Sequence, residues 1–225
     1  MNKNNELDDR INPEILLSKN YQEEKSFDDI FKNSYENFTE IDNITKVLGT
    51  GQDTIKIVKN FMTEDDYNII NKLVMSTFKK IKCSDDEYLA SVNKINEYKE
   101  KIKNKAEELF KFKLEHDDYA NKSHIKEHYL NGRPPGFATD IHSDLLGPEN
   151  KYRWSGHISN LIYLNDNYDG GEIYFPYHKL KIKPERLMLI SFPGNYYNRH
   201  GIRASSDLRV ALSVFLKISD FNPSL

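Results

Sequence analysis

With 225 residues, 38% of them hydrophobic, the chain is sized for one domain whose core can fold without disulfide or metal staples. Its single cysteine, Cys83, excludes an intrachain disulfide and points to a reducing, cytoplasmic setting. A balance of 32 basic against 35 acidic residues gives no ground for nucleic-acid or membrane attraction, and no apolar run approaches the roughly 20 residues of a membrane span.

Residues 1–45 are polar and acidic with short apolar pieces such as Ile15, Leu16 and Leu17, and are expected to form a partly ordered tail. The start, Met1 to Arg10, has no apolar core and does not read as a secretory signal. A domain is expected over 46–225, with helical support over 46–122 and a β core over 123–220. Thr54–Val58 alternates and is β-rich, which predicts a strand. Thr63 followed by Glu64, Asp65 and Asp66 is a helix-start signal, and Tyr67, Ile69, Ile70, Leu73, Val74 and Phe78 keep helical spacing to about Lys79. A second helix is expected from about Asp85 to Phe112, with a polar, solvent-facing stretch near Glu97–Lys105.

Beyond Lys122 the pattern changes to short apolar runs separated by Gly, Pro, Asn and Asp. Strands are predicted at Ile125–Leu130, Phe137–His142, Ile158–Leu164, Glu172–Phe175, Leu180–Ile182, Leu187–Phe192, Arg199–Ile202 and Leu208–Ile218. The fold class is therefore α+β: a sandwich or small barrel whose one sheet is braced by the preceding helices. Gly170 and Gly171 read as a tight turn between strands, not as a phosphate loop. His124 and His128 read as surface residues. His178 and Trp154 are placed at a substrate entrance or, equally well, in structural or exposed positions.

His142-Ser143-Asp144 sets an imidazole and a carboxylate two residues apart, so that in an extended segment both project to one face. One further His on a neighbouring strand completes a two-His, one-carboxylate set, which suits non-haem Fe(II) and leaves coordination positions open. The His-x-Asp signal alone is weak, since His116-Asp117-Asp118 repeats it; no suitably spaced strands and loops follow that copy, and it reads as solvated surface. Downstream of His142 the pattern continues. His200 follows in Arg199-His200-Gly201-Ile202, and Arg209 opens Leu208–Leu216, an alternating run. Leu208, Val210, Leu212, Val214 and Leu216 share one face; Arg209, Ala211, Ser213 and Phe215 share the other. An Arg with a Ser on the same face fits a pocket that receives a carboxylate.

From about Lys126 to Lys217, roughly 40% of the chain, the sequence resembles the prolyl 4-hydroxylase branch of the Fe(II)/2-oxoglutarate oxygenases. The resemblance rests on ordered pieces: Tyr129, His142-Ser143-Asp144, the segment Asn160–Asp166 with Tyr163-Leu164-Asn165-Asp166, then Gly170-Gly171-Glu172 and Phe175-Pro176, Leu187–Phe192, His200-Gly201 and Arg209. It implies a double-stranded β-helix (jelly-roll) with iron at one mouth, held by His142, Asp144 and His200. It also implies that Arg209 binds the far carboxylate of 2-oxoglutarate with help from Tyr163, and that Tyr129 lines the cosubstrate pocket, where the strand pattern already places Ser213 as a further donor. The implied reaction consumes 2-oxoglutarate and O2, releases succinate and CO2 and hydroxylates a C–H bond, with ascorbate as a candidate auxiliary.

The implied substrate is a peptidyl proline. Three departures bear on that substrate rather than on the chemistry: Arg203-Ala204 stands where the family often has Pro-Val, Phe215 where it often has Trp, and Gly156-His157 where an Arg is common. Another peptide side chain, a free amino acid or a small metabolite are the alternatives. Two rival classes are a non-catalytic β-helix protein and a cupin-type metal protein, the latter suggested faintly by Pro193-Gly194 ahead of His200. Nothing in the sequence sets an oligomeric state.

Overall fold

Two capping residues set where the helices begin. In the computed structural model, which describes residues 49, 51–118, 121, 128–144 and 157–219, the Thr63 side chain accepts the Asp66 N–H, opening helix α1 (Glu64–Lys79). Ser84 and Glu87 form a reciprocal capping box that opens α2 (Asp85–Phe110). Each helix stops on a lysine in the left-handed conformation, Lys80 and Lys111. The second helix therefore ends at Phe110 rather than Phe112, and Phe112 packs on the core from outside it. Ser91, Ile95, Tyr98, Ile102, Ala106 and Phe110 form a narrow buried stripe along α2, while Glu97, Glu100 and Lys101 on its polar stretch are exposed.

The strands are β1 (Lys56–Val58), β2 (Leu114–His116), β3 (Leu130–Arg133), β4 (Thr139–His142), β5 (His157–Tyr163), β6 (Ile173–Phe175), β7 (Leu180–Ile182), β8 (Leu189–Pro193), β9 (His200–Ile202) and β10 (Arg209–Ile218). They form two antiparallel sheets, one ordered β1-β8-β5-β10-β2 with β3 also on β10, the other β4-β9-β6-β7. From β3 onward the chain passes repeatedly between the sheets, the winding of a double-stranded β-helix. Alternation along β10 explains why the larger sheet is buried on both faces. Val210, Leu212, Val214 and Leu216 join Ile70, Leu73, Ile95 and Ile102 in a core under the helices. Ala211 faces the other way, with Tyr163, Ile173, Phe175, Ile190 and Phe192, in a second core between the sheets.

Three expectations need correction. The strand placed at Ile125–Leu130 runs instead over Leu130–Arg133, because His128 and Tyr129 both take positive φ (52° and 63°) and cannot continue a strand; residues 125–127 lie outside the described residues. Of His116-Asp117-Asp118, expected on the solvated surface, Asp118 is exposed and His116 partly so, but Asp117 is not. His116 pairs with Leu216 as β2 extends the larger sheet, and this carries Asp117 inside, at 3% exposure. The strand expected from Thr54 begins at Lys56, since Gln52–Thr54 form a 3-10 turn. Gly170 and Gly171, in the connection between β5 and β6, both take φ +72°, and a Cβ on Gly170, which bridges Ser205, would collide with the Ala204 carbonyl. The tail over 1–45, His124 and Trp154 lie outside the described residues. Among the described residues no helix is long and apolar enough to cross a membrane.

Candidate metal centre

His142 closes β4, His200 opens β9, and the two are direct partners across the antiparallel pair. Their ring centroids stand 4.6 Å apart. Asp144 follows the end of β4, and its Oδ1 lies 3.3 Å from His142 Nε2 and 3.6 Å from His200 Nε2. One ligand atom from each of the three falls within 4.8 Å of the others, and among the described residues no other His, Cys, Asp or Glu set converges in this way.

The remaining polar atoms of the three side chains are directed by their neighbours. His142 Nδ1 meets the Asp140 carbonyl at 2.7 Å and His200 Nδ1 meets the Asn198 carbonyl at 3.2 Å. A carbonyl can only accept, so each ring carries its proton on Nδ1 and presents the Nε2 lone pair to the shared point. Ser159 Oγ donates to Asp144 Oδ2 at 2.5 Å, leaving Oδ1 as the oxygen that faces both imidazoles. His200 is 3% exposed and packed against Phe175 and Phe192, whereas the His142 side chain is 37% exposed, so the centre is closed behind and open in front.

Charge follows burial. Burial works to raise the Asp144 carboxyl, but His200, His142 and Ser159 outweigh it and hold the group well below the usual carboxylate range. Burial pushes the His200 imidazole down to about 4 against the pull of Asp144. For His142, burial is outweighed by the negative charge of Asp144 beside it, which holds the ring above its ordinary value. An anionic carboxylate and two rings converging through Nε2 match the donor set for Fe(II).

Register shows what lies deeper in the barrel. On the face shared by β5 and β10, Phe215 pairs with Ser159, Ser213 with Leu161 and Ala211 with Tyr163, with Arg209 one further step along. Arg209 Cα thus lies six residues from Phe215, roughly 20 Å at strand rise, with its long side chain inside. Arg209 is 4% exposed, its guanidinium lies 5.6 Å from the Tyr163 ring centroid, and no acidic side chain among the described residues forms an ion pair with it. Two hydroxyls on this face, Tyr163 and Ser213, are buried without a hydrogen-bond partner. Burial raises the Tyr163 phenol against the pull of Arg209. A buried cation beside unpartnered hydroxyls is the environment a carboxylate satisfies.

Tyr129, expected to line the cosubstrate pocket, is placed elsewhere in the structure. Its ring belongs to the core under the helices, with Lys99 of α2 4.2 Å above it, because the left-handed turn at 128 and 129 aims it outward. Ser213 is on the expected face but two residues nearer the metal end than Ala211, so it does not share Arg209's level.

Other contacts surround the site and the sheet that carries it, among them Arg133, Asn121 and the Asp117–His157 pair, whose roles no sequence pattern flagged. Arg133 is the direct partner of Arg209 across β3 and β10 and stacks over Phe137 at 5.1 Å. His157 Nε2 lies 3.0 Å from Asp117 Oδ2, both side chains nearly inaccessible, and the His157 ring meets Phe215 edge-on at 6.5 Å. Asn121 grips the Phe215 backbone through both ends of its amide, at 2.8 and 2.9 Å. His178, half-buried, bonds Asn198 at 2.9 Å, and His128 bonds Tyr88 at 2.7 Å.

No family model matches this chain, and no curated protein does. Solved structures do. A viral collagen prolyl hydroxylase from Paramecium bursaria Chlorella virus-1, in its 2-oxoglutarate complex, matches with a TM-score of 0.51 at 16% identity over 74% of this chain and 97% of that one. A prolyl hydroxylase from Trichoplax adhaerens, in complex with a hypoxia-inducible-factor peptide fragment, matches with a TM-score of 0.52 at 13% identity over 89% and 93%. A Pseudomonas putida prolyl-4-hydroxylase gives 0.50 at 14% identity over 78% and 97%. This chain has the prolyl 4-hydroxylase-type fold. The expected α+β class and jelly-roll core of that fold are both present, and its likeness to these proteins extends over nearly their whole length. The rival cupin-type donor set, a His-x-His pair with a later Glu, is not found among the described residues of the centre.

Proposed function

We propose that this protein is an Fe(II)- and 2-oxoglutarate-dependent dioxygenase that hydroxylates a C–H bond, with a peptidyl proline as the favoured substrate. The observation that carries the reading is the buried Arg209 guanidinium, without an acidic partner among the described residues, deep in a barrel whose outer end gathers His142, Asp144 and His200. A buried charge is costly unless it is paired, and a diacid anchored at the metal end is a partner of the right sign. When bound, Fe(II) with 2-oxoglutarate and O2 supplies the oxidising chemistry, with succinate and CO2 as coproducts.

The chain's own residues do the rest. His142 and His200 offer neutral Nε2 atoms, held in that tautomer by the Asp140 and Asn198 carbonyls. Asp144 offers Oδ1 while Ser159 holds Oδ2. Arg209 and Tyr163 grip the far carboxylate, and Ser213 meets the cosubstrate nearer the metal. Phe175 and Phe192 keep water from the back of His200. Phe215 and His157 border the outer end, where a substrate approaches the open side of His142.

The proline assignment draws on the fold relatives, one named as a collagen prolyl hydroxylase and one solved with a hypoxia-inducible-factor peptide. Phe215 offers an apolar ring against which a pyrrolidine can pack. The test is to supply the purified protein with Fe(II), 2-oxoglutarate, ascorbate as reductant, and in turn proline-rich peptides, free proline and a metabolite panel. Succinate and a mass gain of one oxygen atom on a proline-containing peptide are expected. Stimulation by free metabolites and by no peptide overturns the proline assignment; absence of iron-dependent succinate under all conditions overturns the dioxygenase reading.

A further inference from the structure

We propose that the Tyr168 hydroxyl is a further donor to the far carboxylate held by Arg209, so that two phenols rather than one read that end of a 2-oxo diacid. This deepens the dioxygenase reading and rests on it.

Tyr168 lies in the connection between β5 and β6, outside every strand, and nothing in its sequence context marks it. The structure straps that connection along the start of β10. Leu164 N–H donates to the Val210 carbonyl, and the Asn165 amide both accepts from Val210 N–H and donates to the Leu208 carbonyl, at 2.7 to 2.9 Å. Further on, Asp169 and Ser206 exchange hydrogen bonds, Gly170 bridges Ser205, and Gly171 N–H donates to the Ala204 carbonyl. Tyr168 is thus fixed between two sets of contacts to residues 204–210, the segment that delivers Arg209.

Its side chain is 6% exposed, and its hydroxyl is buried with no hydrogen-bond partner. The ring itself is held from two sides. The Lys183 ammonium sits 4.5 Å from its centroid and is anchored on the Tyr168 and Gly170 carbonyls. Gly171 approaches the ring so closely that any side chain there would strike it. Packing alone is served equally well by phenylalanine, and an unsatisfied buried hydroxyl is unfavourable, so the oxygen calls for a ligand. Electrostatics place it within reach of the same cation: burial raises this phenol strongly, the Arg209 guanidinium opposes the rise, and the Tyr163 phenol and the Asp166 and Glu172 carboxylates add to it. A carboxylate has about four acceptor positions, enough for a two-pronged guanidinium and two phenols.

The test is calorimetric binding to Mn(II)-loaded protein, where no turnover intervenes, of 2-oxoglutarate and of 2-oxobutanoate, which lacks the far carboxylate. Tyr168→Phe is expected to weaken 2-oxoglutarate by about tenfold, the scale of a hydrogen bond to a charged group, and to leave 2-oxobutanoate and Mn(II) affinity unchanged. Tyr163→Phe serves as the comparison. Unchanged 2-oxoglutarate affinity in Tyr168→Phe, or an equal loss for both acids, overturns the assignment while leaving Arg209 and the dioxygenase reading intact. Failure of the Mn(II)-loaded unsubstituted protein to bind 2-oxoglutarate at all overturns both.

Discussion

His142 and His200 face each other as cross-strand partners of β4 and β9, and the Nε2 atoms of both look at one oxygen of Asp144. The pairing matters because each ring's position is fixed by sheet hydrogen bonds rather than by a loop, so the metal geometry is built before any ion arrives.

His142→Ala and His200→Ala are each expected to abolish Fe(II) retention, since two donors no longer define a facial site. Ser159→Ala should be milder. Losing the hydrogen bond that aims Asp144 is expected to weaken metal affinity by about tenfold to a hundredfold. Calorimetry with Mn(II) reads both effects, and wild-type affinity in either His variant removes the assignment.

Arg209→Ala is expected to raise the 2-oxoglutarate requirement by the equivalent of about 3–5 kcal/mol, because the carboxylate loses its buried counter-charge, with little change in metal affinity. Arg209→Lys keeps the charge but not the forked geometry and should recover part of the loss. Tyr129→Phe should leave 2-oxoglutarate affinity unaltered, as its ring lies on the far side of the sheet. A Tyr129→Phe variant that bound the cosubstrate poorly would contradict the outward placement.

A chain beginning at Asp42 is expected to bind iron and decarboxylate 2-oxoglutarate, since the first of the converging residues to appear in the sequence is His142 and the fold's earliest described strand is β1. The check is a metal-binding and succinate assay on the shortened chain. A well-folded product that failed both would assign the first residues a part in closing the site.

How much of this was legible in the sequence depended on whether the signal was local. The helix starts at Thr63 and Ser84 are short-range chemistry, and α1 was located to the residue. The alternation of β10 declared two buried faces because period-two patterning survives without knowledge of partners. His142, Asp144 and His200 were readable because their spacing recurs in a familiar order. What failed was long-range. Tyr129 lay in the expected segment, but a left-handed turn reversed its side. Asp117 looked like surface because pairing of β2 with β10, about a hundred residues away in sequence, is what buries it. Tyr168 was invisible because backbone and side-chain hydrogen bonds from its connection to residues 204–210, not a pattern, fix its place.

The last prediction concerns the helical brace. Asp66 joins α1 to α2: its carboxylate accepts from the Tyr98 hydroxyl at 2.9 Å and pairs with Lys94 at 2.9 Å, with its side chain 17% exposed. Burial works to raise its pKa, but the Lys94, Tyr98 and Thr63 hydrogen bonds outweigh it and lower the group to about 2. The folded-state value is therefore depressed below the unfolded one, near 3.9. A depressed carboxyl contributes stability that is fully present above the unfolded value and is lost as pH falls through the folded one. Asp66→Asn is accordingly expected to cost about 1–2 kcal/mol at neutral pH, discounted for partial solvent screening. The gap between variant and wild type should hold down to about pH 5 and narrow steadily between about pH 4 and 2. Urea midpoints at neutral pH, pH 4 and pH 3 measure it. A gap independent of pH would show that the Asp66 contacts stabilise the helix pair by packing rather than by charge.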